Sequence, residues 1–489
     1  MGDISKTIAK NSASIAVTDM VIRIISFVFN VFVVRQLGGA DFGKYSTVMA
    51  YVGIFAIFSD MGMATYATRE IAQDKSKAGF LTWNSILFRV VLSFIVIPLI
   101  TITAIGLGYP TETVLGILVA SSGLLLHSVY GPINNLMRGY ERMELRAVPN
   151  IMERLIFVLI GAVVLIKGMG FVWLVVGTQV AVLVATILAA ILLIKFIGWF
   201  PFEMAPREWW PILRASLPFG VITLTLLIAD RIDTIILSLW TEDVVVGWYN
   251  VAYGLMINLT FFSAMLNGAL GPTLARTYAG DKQTVNKVYQ TSFRMLFIAS
   301  IPLAAGATIL AGRIISFLYT DEFLPAVPAL QVLVWILPIT ALHSLCSAMA
   351  TASYQEKDQA KIRVIGAVAN IALNFFAIPR YGLMGAAVVT LLTELIIFVL
   401  MFKLVNNQFV LQDVSHIIIK PLFAALFMGG VLMLGHNLNL LLLIGLGALV
   451  YSVMLLATRA VDLKDPTSLE SILLRNVGQR LRRFASGSL

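Results

Sequence analysis

Apolar runs of about 20 residues recur from one end of this chain to the other, and a run of that length is what an α-helix needs to cross a bilayer. They fall near residues 14–36, 43–67, 81–107, 112–137, 148–166, 170–195, 212–240, 245–275, 291–319, 326–353, 361–379, 382–404, 416–436 and 438–458. The expected fold is therefore an all-α polytopic membrane protein with about 14 transmembrane helices. Composition agrees: 59% of the residues are hydrophobic and 12% charged, where soluble domains carry about 25% charged residues.

The charges sort by loop. With the N-terminus in the cytoplasm, roughly 26 lysines and arginines fall in cytoplasmic segments, against Arg35, Lys44, Lys167 and Arg380 on the other side. The positive-inside rule then places both termini in the cytoplasm, with an even number of spans crossing the cytoplasmic membrane. The net charge of +9 is read as topology and as contact with acidic lipid headgroups; no nucleic-acid motif accompanies it. The first apolar run carries Asp19 and Arg23 and is longer than a signal-peptide core, so it reads as a mature helix. One cysteine, Cys346, leaves no internal disulfide and no thiol metal site. The short outer loops, such as Gly168-Met169-Gly170, have no room for a catalytic domain.

The two halves repeat. Gly43-Lys44-Tyr45 and Tyr51 recur as Gly247-Trp248-Tyr249 and Tyr253, and Asp74-Lys75 recurs as Asp281-Lys282, at a shift of about 204 to 207 residues. A parallel repeat about an axis along the membrane normal follows. The divisions are an N-terminal lobe over 1–197 (helices 1–6), an interfacial linker over 198–211, a C-terminal lobe over 212–405 (helices 7–12), two further helices over 406–458, and a tail over 459–489. The linker, rich in proline and tryptophan, reads as a hinge-like elbow. The tail spaces Ile472, Leu473, Val477, Leu481 and Phe484 among arginines, as in a basic amphipathic helix on the inner leaflet.

Charge inside a span is costly, and by default it marks function. Asp230-Arg231-Ile232-Asp233 puts three ionisable groups into one apolar run. Asp19, Arg23, Asp60, Arg89, Glu153, Arg154, Arg313 and Glu394 are the others. Asp230 and Asp233, three apart, are expected on one helix face. Arg23, Arg89 and Arg231 are read as facing a cavity, where a guanidinium fork suits phosphate oxygens; Arg313 and the Glu153-Arg154 pair could equally snorkel to the headgroups. Asp19 can pair with Arg23 one turn on. Asp60, Asp230, Asp233 and Glu394 either balance the arginines or bind a coupling cation, since a buried carboxylate can trade a proton for sodium. His127 and His343 read as core histidines.

Fourteen spans, Gly43-Lys44-Tyr45 after Leu37-Gly38-Gly39, the Arg231-Ile232-Asp233 helix followed by Val246-Gly247-Trp248-Tyr249, and Tyr381-Gly382-Leu383-Met384-Gly385-Ala386-Ala387 together resemble the polysaccharide-export (Wzx-type oligosaccharide flippase) family of the multidrug/oligosaccharidyl-lipid/polysaccharide (MOP) superfamily. The resemblance implies two six-helix lobes around a central cavity plus two C-terminal helices, and flipping of polyprenyl-(pyro)phosphate-linked repeat units for surface polysaccharide. It implies cavity arginines that hold the lipid phosphate. Arg23 matches such an arginine by placement, while Arg89, Arg154 and Arg231 match by depth only.

The expected function is thus a flippase working by alternating access, not an enzyme, with no cofactor and with a sodium gradient, a proton gradient or the membrane potential as driving force. Its expected partners are the lipid-linked oligosaccharide, acidic membrane lipids and polysaccharide-assembly proteins. A cation-coupled multidrug exporter of the same fold is the alternative, and would favour an acidic, aromatic cavity. A membrane enzyme that joins lipid-linked sugars would need acid, base or metal constellations that the chain does not display.

Overall fold

The computed structural model describes residues 2–278, 282–406, 414–435, 437–458 and 460, with side chains described over 20–261, 283–406, 417–435, 437–458 and 460. The expected tail helix at 468–484 and the side chain of Asp19 lie outside the described residues.

The described residues form helices and no strand. Among the described residues, twelve helices are long and apolar enough to cross a membrane. Two of these carry a glycine that leaves helical geometry, Gly38 (φ 72°, ψ 177°) and Gly382 (φ 51°, ψ −127°). The segment Glu356–Asn406 has 51 residues, about 75 Å as one straight helix, more than twice a hydrocarbon layer. A positive φ, open to glycine at no steric cost, lets such a segment turn back without a loop. Counting each as two spans brings twelve to fourteen.

Two compact units result: Met1–Asn250 with Asn374–Leu383, and Val251–Leu373 with Met384–Leu489. The first unit contains α1 (Gly2–Phe55), α2 (Ile57–Asp60), α3 (Met63–Gln73), α4 (Ala78–Gly106), α5 (Thr111–Gly139), α6 (Met143–Ile166), α7 (Phe171–Phe196), α8 (Pro206–Trp240) and the start of α9 (Asp243–Tyr278). The second contains the rest of α9, then α10 (Lys282–Leu318), α11 (Val327–Leu333), α12 (Ile336–Ala352), most of α13 (Glu356–Asn406), α14 (Val414–Leu434) and α15 (Leu440–Ala457).

In the first unit Val48, Tyr51, Ile100, Ile117, Phe171 and Val175 form a buried core, while Phe94, Ile102 and Ile166 stay exposed, as lipid-facing positions do. The second span, expected to be continuous over 43–67, breaks at Met61 (φ 49°) and Gly62 (φ 82°). A β-carbon on Gly62 would overlap the Gly220 backbone, and one on Gly220 would lie 2.8 Å from the Met61 carbonyl. The broken turn therefore sits directly on α8, at a place where neither chain carries a side chain.

The linker that read as an elbow is strapped to the first unit. Asn84, fully buried on α4, donates from Nδ2 to the carbonyls of Phe80 (2.9 Å) and Glu203 (3.2 Å). Its Oδ1 accepts from the Ala205 amide (2.9 Å) and from Trp209 Nε1 (3.0 Å). Trp83 Nε1 donates to the Phe200 carbonyl at 3.2 Å. One asparagine thus meets the orphan backbone groups of a segment that has no secondary structure of its own.

The second unit is built on Tyr289, Phe293, Leu345, Cys346, Met401 and Ala424. The last two helices pack into that core through Leu432, Leu443 and Tyr451, whose hydroxyl donates to the Ile298 carbonyl at 2.9 Å.

Candidate functional site

Helices α1, α5, α6 and α7 of the first unit enclose a cavity of about 500 Å³. Its apolar wall includes Val52, Ala120, Leu124, Phe157 and Val182, and its polar belt is Ser26, Tyr45, His127, Asn150, Glu153, Arg154, Thr178 and Gln179. A few placed polar groups on an apolar wall is the usual make-up of a small-molecule site. The size suits one headgroup-sized ligand.

Arg154 comes from α6, where its guanidinium carbon stands 5.3 Å from the Phe157 ring centre, one helical turn on. Its Nε is buried without a hydrogen-bond partner. Glu153, its chain neighbour, turns instead toward the Tyr130 hydroxyl, which itself donates to Asn150 Oδ1 at 2.7 Å. Both Glu153 and Arg154 line the cavity wall. Tyr45 lies within electrostatic reach of Arg154 on α6 and of Arg231 on α8. Arg231 itself is exposed.

The other expected arginines are placed differently. Arg23 is exposed and is not part of the cavity wall, although Ile22 and Ser26 of its helix are. Arg89 is buried, with Nη1 3.2 Å from Asp60 Oδ1. Gly131 makes room for it, since a β-carbon there would lie 2.6 Å from Nη1. Asp60 also accepts from the amides of Gly62 and Ala64, both at 3.2 Å, and so caps the helix that restarts after the break. His127 lines the cavity and lies within electrostatic reach of Arg89.

Asp230 and Asp233 do not share an environment. Asp230 is exposed, whereas Asp233 is buried and accepts from Tyr249 Oη (2.8 Å) and Asn374 Nδ2 (2.6 Å). The 60° that separates positions i and i+3 is enough, at the edge of a helix–helix contact, to put one side chain in and the other out. Glu394 lies half-buried in the second unit, beside Thr393, which accepts from Asn370 Nδ2 at 3.3 Å. Arg313 donates to the Leu438 carbonyl at 3.0 Å, tying α10 to the start of the last hairpin.

Several polar groups here escaped the sequence reading: Tyr45, Asn150, Gln179, Tyr249 and Asn374. Tyr45 and Tyr249 had a signal, since they occupy equivalent positions of the repeat. In the first half that tyrosine lies within electrostatic reach of arginines and in the second it donates to an aspartate. Asn374 had a weaker signal, as an amide in the apolar run Ile371-Ala372-Leu373-Asn374-Phe375-Phe376.

A many-span helical protein with paired charges inside its spans and a mixed polar cavity is of the membrane-transporter class. The family model of polysaccharide biosynthesis proteins matches residues 8–278, and that of the lipid II flippase MurJ matches residues 146–453. The chain belongs to the polysaccharide biosynthesis protein family, and the lipid II flippase MurJ family model also matches more than half of it. It is 22% identical over 469 residues to the "Probable low-salt glycan biosynthesis flippase Agl15" of Haloferax volcanii, covering 92% of this chain and 96% of that one. Among solved structures it resembles lipid II flippase MurJ in an inward closed conformation (TM-score 0.74, 17% identity, 90% of this chain and 97% of that chain). It also resembles an inward-facing MATE-family multidrug resistance transporter (TM-score 0.60, 16% identity, 81% and 98%). At these identities both likenesses are of fold.

Proposed function

We propose that the protein flips a lipid-linked oligosaccharide across the cytoplasmic membrane, with both termini cytoplasmic, the anionic head carried through protein and the lipid tail left in the bilayer. The observation that carries this reading is Arg154 on the cavity wall, its Nε buried without a hydrogen-bond partner, with Tyr45 on the same wall and Arg231 within electrostatic reach of that phenol. Two guanidinium forks and a phenol offer the donors that a phosphate or diphosphate oxygen cluster accepts. Arg23, exposed on the helix that supplies Ile22 and Ser26, is assigned to the approach of the headgroup, and Arg89 to holding the helix break in place. The names of the relatives, a glycan biosynthesis flippase and a lipid II flippase, support a substrate of this class.

Asp233 is assigned the coupling role, trading a proton or a sodium ion as its hydrogen-bonded surroundings change, with Asp230 and Glu394 balancing charge. Alternating access supplies the movement. The test is export in cells that lack the native gene. Arg154→Ala and Arg231→Ala are expected to insert normally, to abolish surface glycan and to leave lipid-linked precursor inside. Normal surface glycan in both variants would sink the reading.

A cation-coupled multidrug exporter is the second reading, favoured by the buried carboxylate of Asp233 and by the shared fold. Arginines at the cavity argue against a cationic cargo, because the site would repel it. Resistance to cationic dyes, unchanged when the chain is deleted, separates the two.

A further inference from the structure

Gly43 on α1 and Gly247 on α9 are equivalent under the repeat, and each meets the other's helix backbone to backbone. A β-carbon on Gly43 would overlap the carbonyl oxygen of Asp243, and one on Gly247 would overlap that of Gly39. Asp243 and Gly39 are themselves one shift of 204 apart. The contact is therefore reciprocal, the pattern of a twofold axis: residue 43 meets 243 as residue 247 meets 39. Small residues that let helix backbones touch are a main source of helix association in lipid, where apolar burial drives little.

The same end of the first unit carries a second tie. Lys44, next to Gly43, is held by Glu112 at 2.7 Å and Asp41 at 3.3 Å and lies 5.8 Å above the Phe171 ring. Tyr109 Oη and Ser238 Oγ, 2.7 Å apart, join the turn after α4 to the end of α8. In the orientation proposed above, these ties gather at the outer surface.

We propose that Gly43 and Gly247 form a backbone clasp that holds the outer end of the second span, just after the Gly38 turn of α1, closed against the outer end of α9 in this conformation, and that release of a substrate to the outside requires the clasp to part. The inference rests on the transport reading for the need to open, but its geometry does not depend on what is carried. Any side chain at either glycine would wedge the two helices apart and favour the open state.

The test uses the full chain with Cys346→Ala and a reporter thiol at Met49→Cys, on the cavity wall. A membrane-impermeant maleimide is added from outside. Gly43→Ala and Gly247→Ala are each expected to raise the labelling rate several-fold. Gly254→Ala, also on α9, is expected to leave it unchanged, because its β-carbon would meet nothing within 4 Å. Labelling at the background rate in both clasp variants overturns the proposal. Should neither variant reach the membrane, spin labels at Ala40→Cys and Glu242→Cys in the glycine-intact protein decide: two separations are expected in proteoliposomes, and a single one under every pH and sodium condition overturns the clasp. Raised labelling together with normal surface glycan in Arg154→Ala and Arg231→Ala would keep the clasp and remove the headgroup reading.

Discussion

Arg89 Nη1 stands 3.2 Å from Asp60 Oδ1 at the point where the second span breaks. Asp60 does two jobs there, balancing the guanidinium and capping α3 through the amides of Gly62 and Ala64. Removing one partner of a buried ion pair leaves the other charge uncompensated and costs about 3–5 kcal/mol. Arg89→Met is therefore expected to be severely destabilised. Asp60→Asn is expected to be destabilised as well, because it leaves Arg89 without a counter-charge and its one amide oxygen keeps only one of the two backbone donors, which bond to different carboxylate oxygens. The double variant should regain stability relative to Arg89→Met, since the two changes act on one interaction. Thermal unfolding in detergent measures all three, and additive losses would contradict the pairing.

The linker makes a second expectation. Asn84 contributes three contacts to it, through the Glu203 carbonyl, the Ala205 amide and the Trp209 indole. At roughly 0.5–1.5 kcal/mol each, Asn84→Ala should cost about 2–4 kcal/mol locally. The segment 198–206 should then become open to protease while the spans stay protected. Asn84→Asp keeps the acceptor and loses the donor, so it should fall between. A linker equally resistant in all three proteins would show that aromatic packing, not the asparagine, holds it.

The spans were legible because period and length alone decide them. The divisions read between 36 and 43 and between 379 and 382 fall at Gly38 and Gly382, where the helices leave helical geometry. The break at Met61-Gly62 was hidden: its cause is the backbone of Gly220, far along the chain. Proline and tryptophan announce a linker but do not distinguish an elbow from a strap; that difference resides in Asn84 on another helix. Charged residues in spans were visible as anomalies, yet their partners were not. Arg89 and Arg154 look alike in sequence, and the structure gives one an aspartate and the other a cavity wall.

Arg154 also separates charge from shape. Its guanidinium lies over Phe157 and lines the same cavity as Tyr45, and the planar stacking is an arrangement that an ammonium cannot reproduce. Arg154→Lys is expected to export glycan poorly, and Arg154→Gln more poorly still. Hydrogen bonds to charged groups are worth about 1.5–3 kcal/mol, so a loss of about 10- to 100-fold in headgroup affinity is expected for Arg154→Gln. Phe157→Leu should weaken export only mildly. Surface glycan and accumulated lipid-linked precursor are measured together, so that a block in flipping is distinguished from a block in synthesis. Full export by Arg154→Gln would remove this residue from the site.

Asp233 offers the sharpest separation of coupling from scaffolding. Tyr249 and Asn374 both donate to its carboxylate inside the first unit, from α9 and from the short stretch of α13 that belongs there. Deleting either donor should cost about 1.5–3 kcal/mol of stability while the carboxylate is charged. In Asp233→Asn the charge is gone, and the same deletions should cost less, since the bond to a neutral amide is weaker. That non-additivity establishes the ionised hydrogen-bond network by unfolding measurements alone. Its functional counterpart is read in proteoliposomes: transport by the native protein should respond to an imposed sodium or proton gradient, and Asp233→Asn should move substrate at a low rate that ignores both. A gradient response retained in Asp233→Asn would transfer the coupling role away from this carboxylate and leave it a structural bond between α8, α9 and α13.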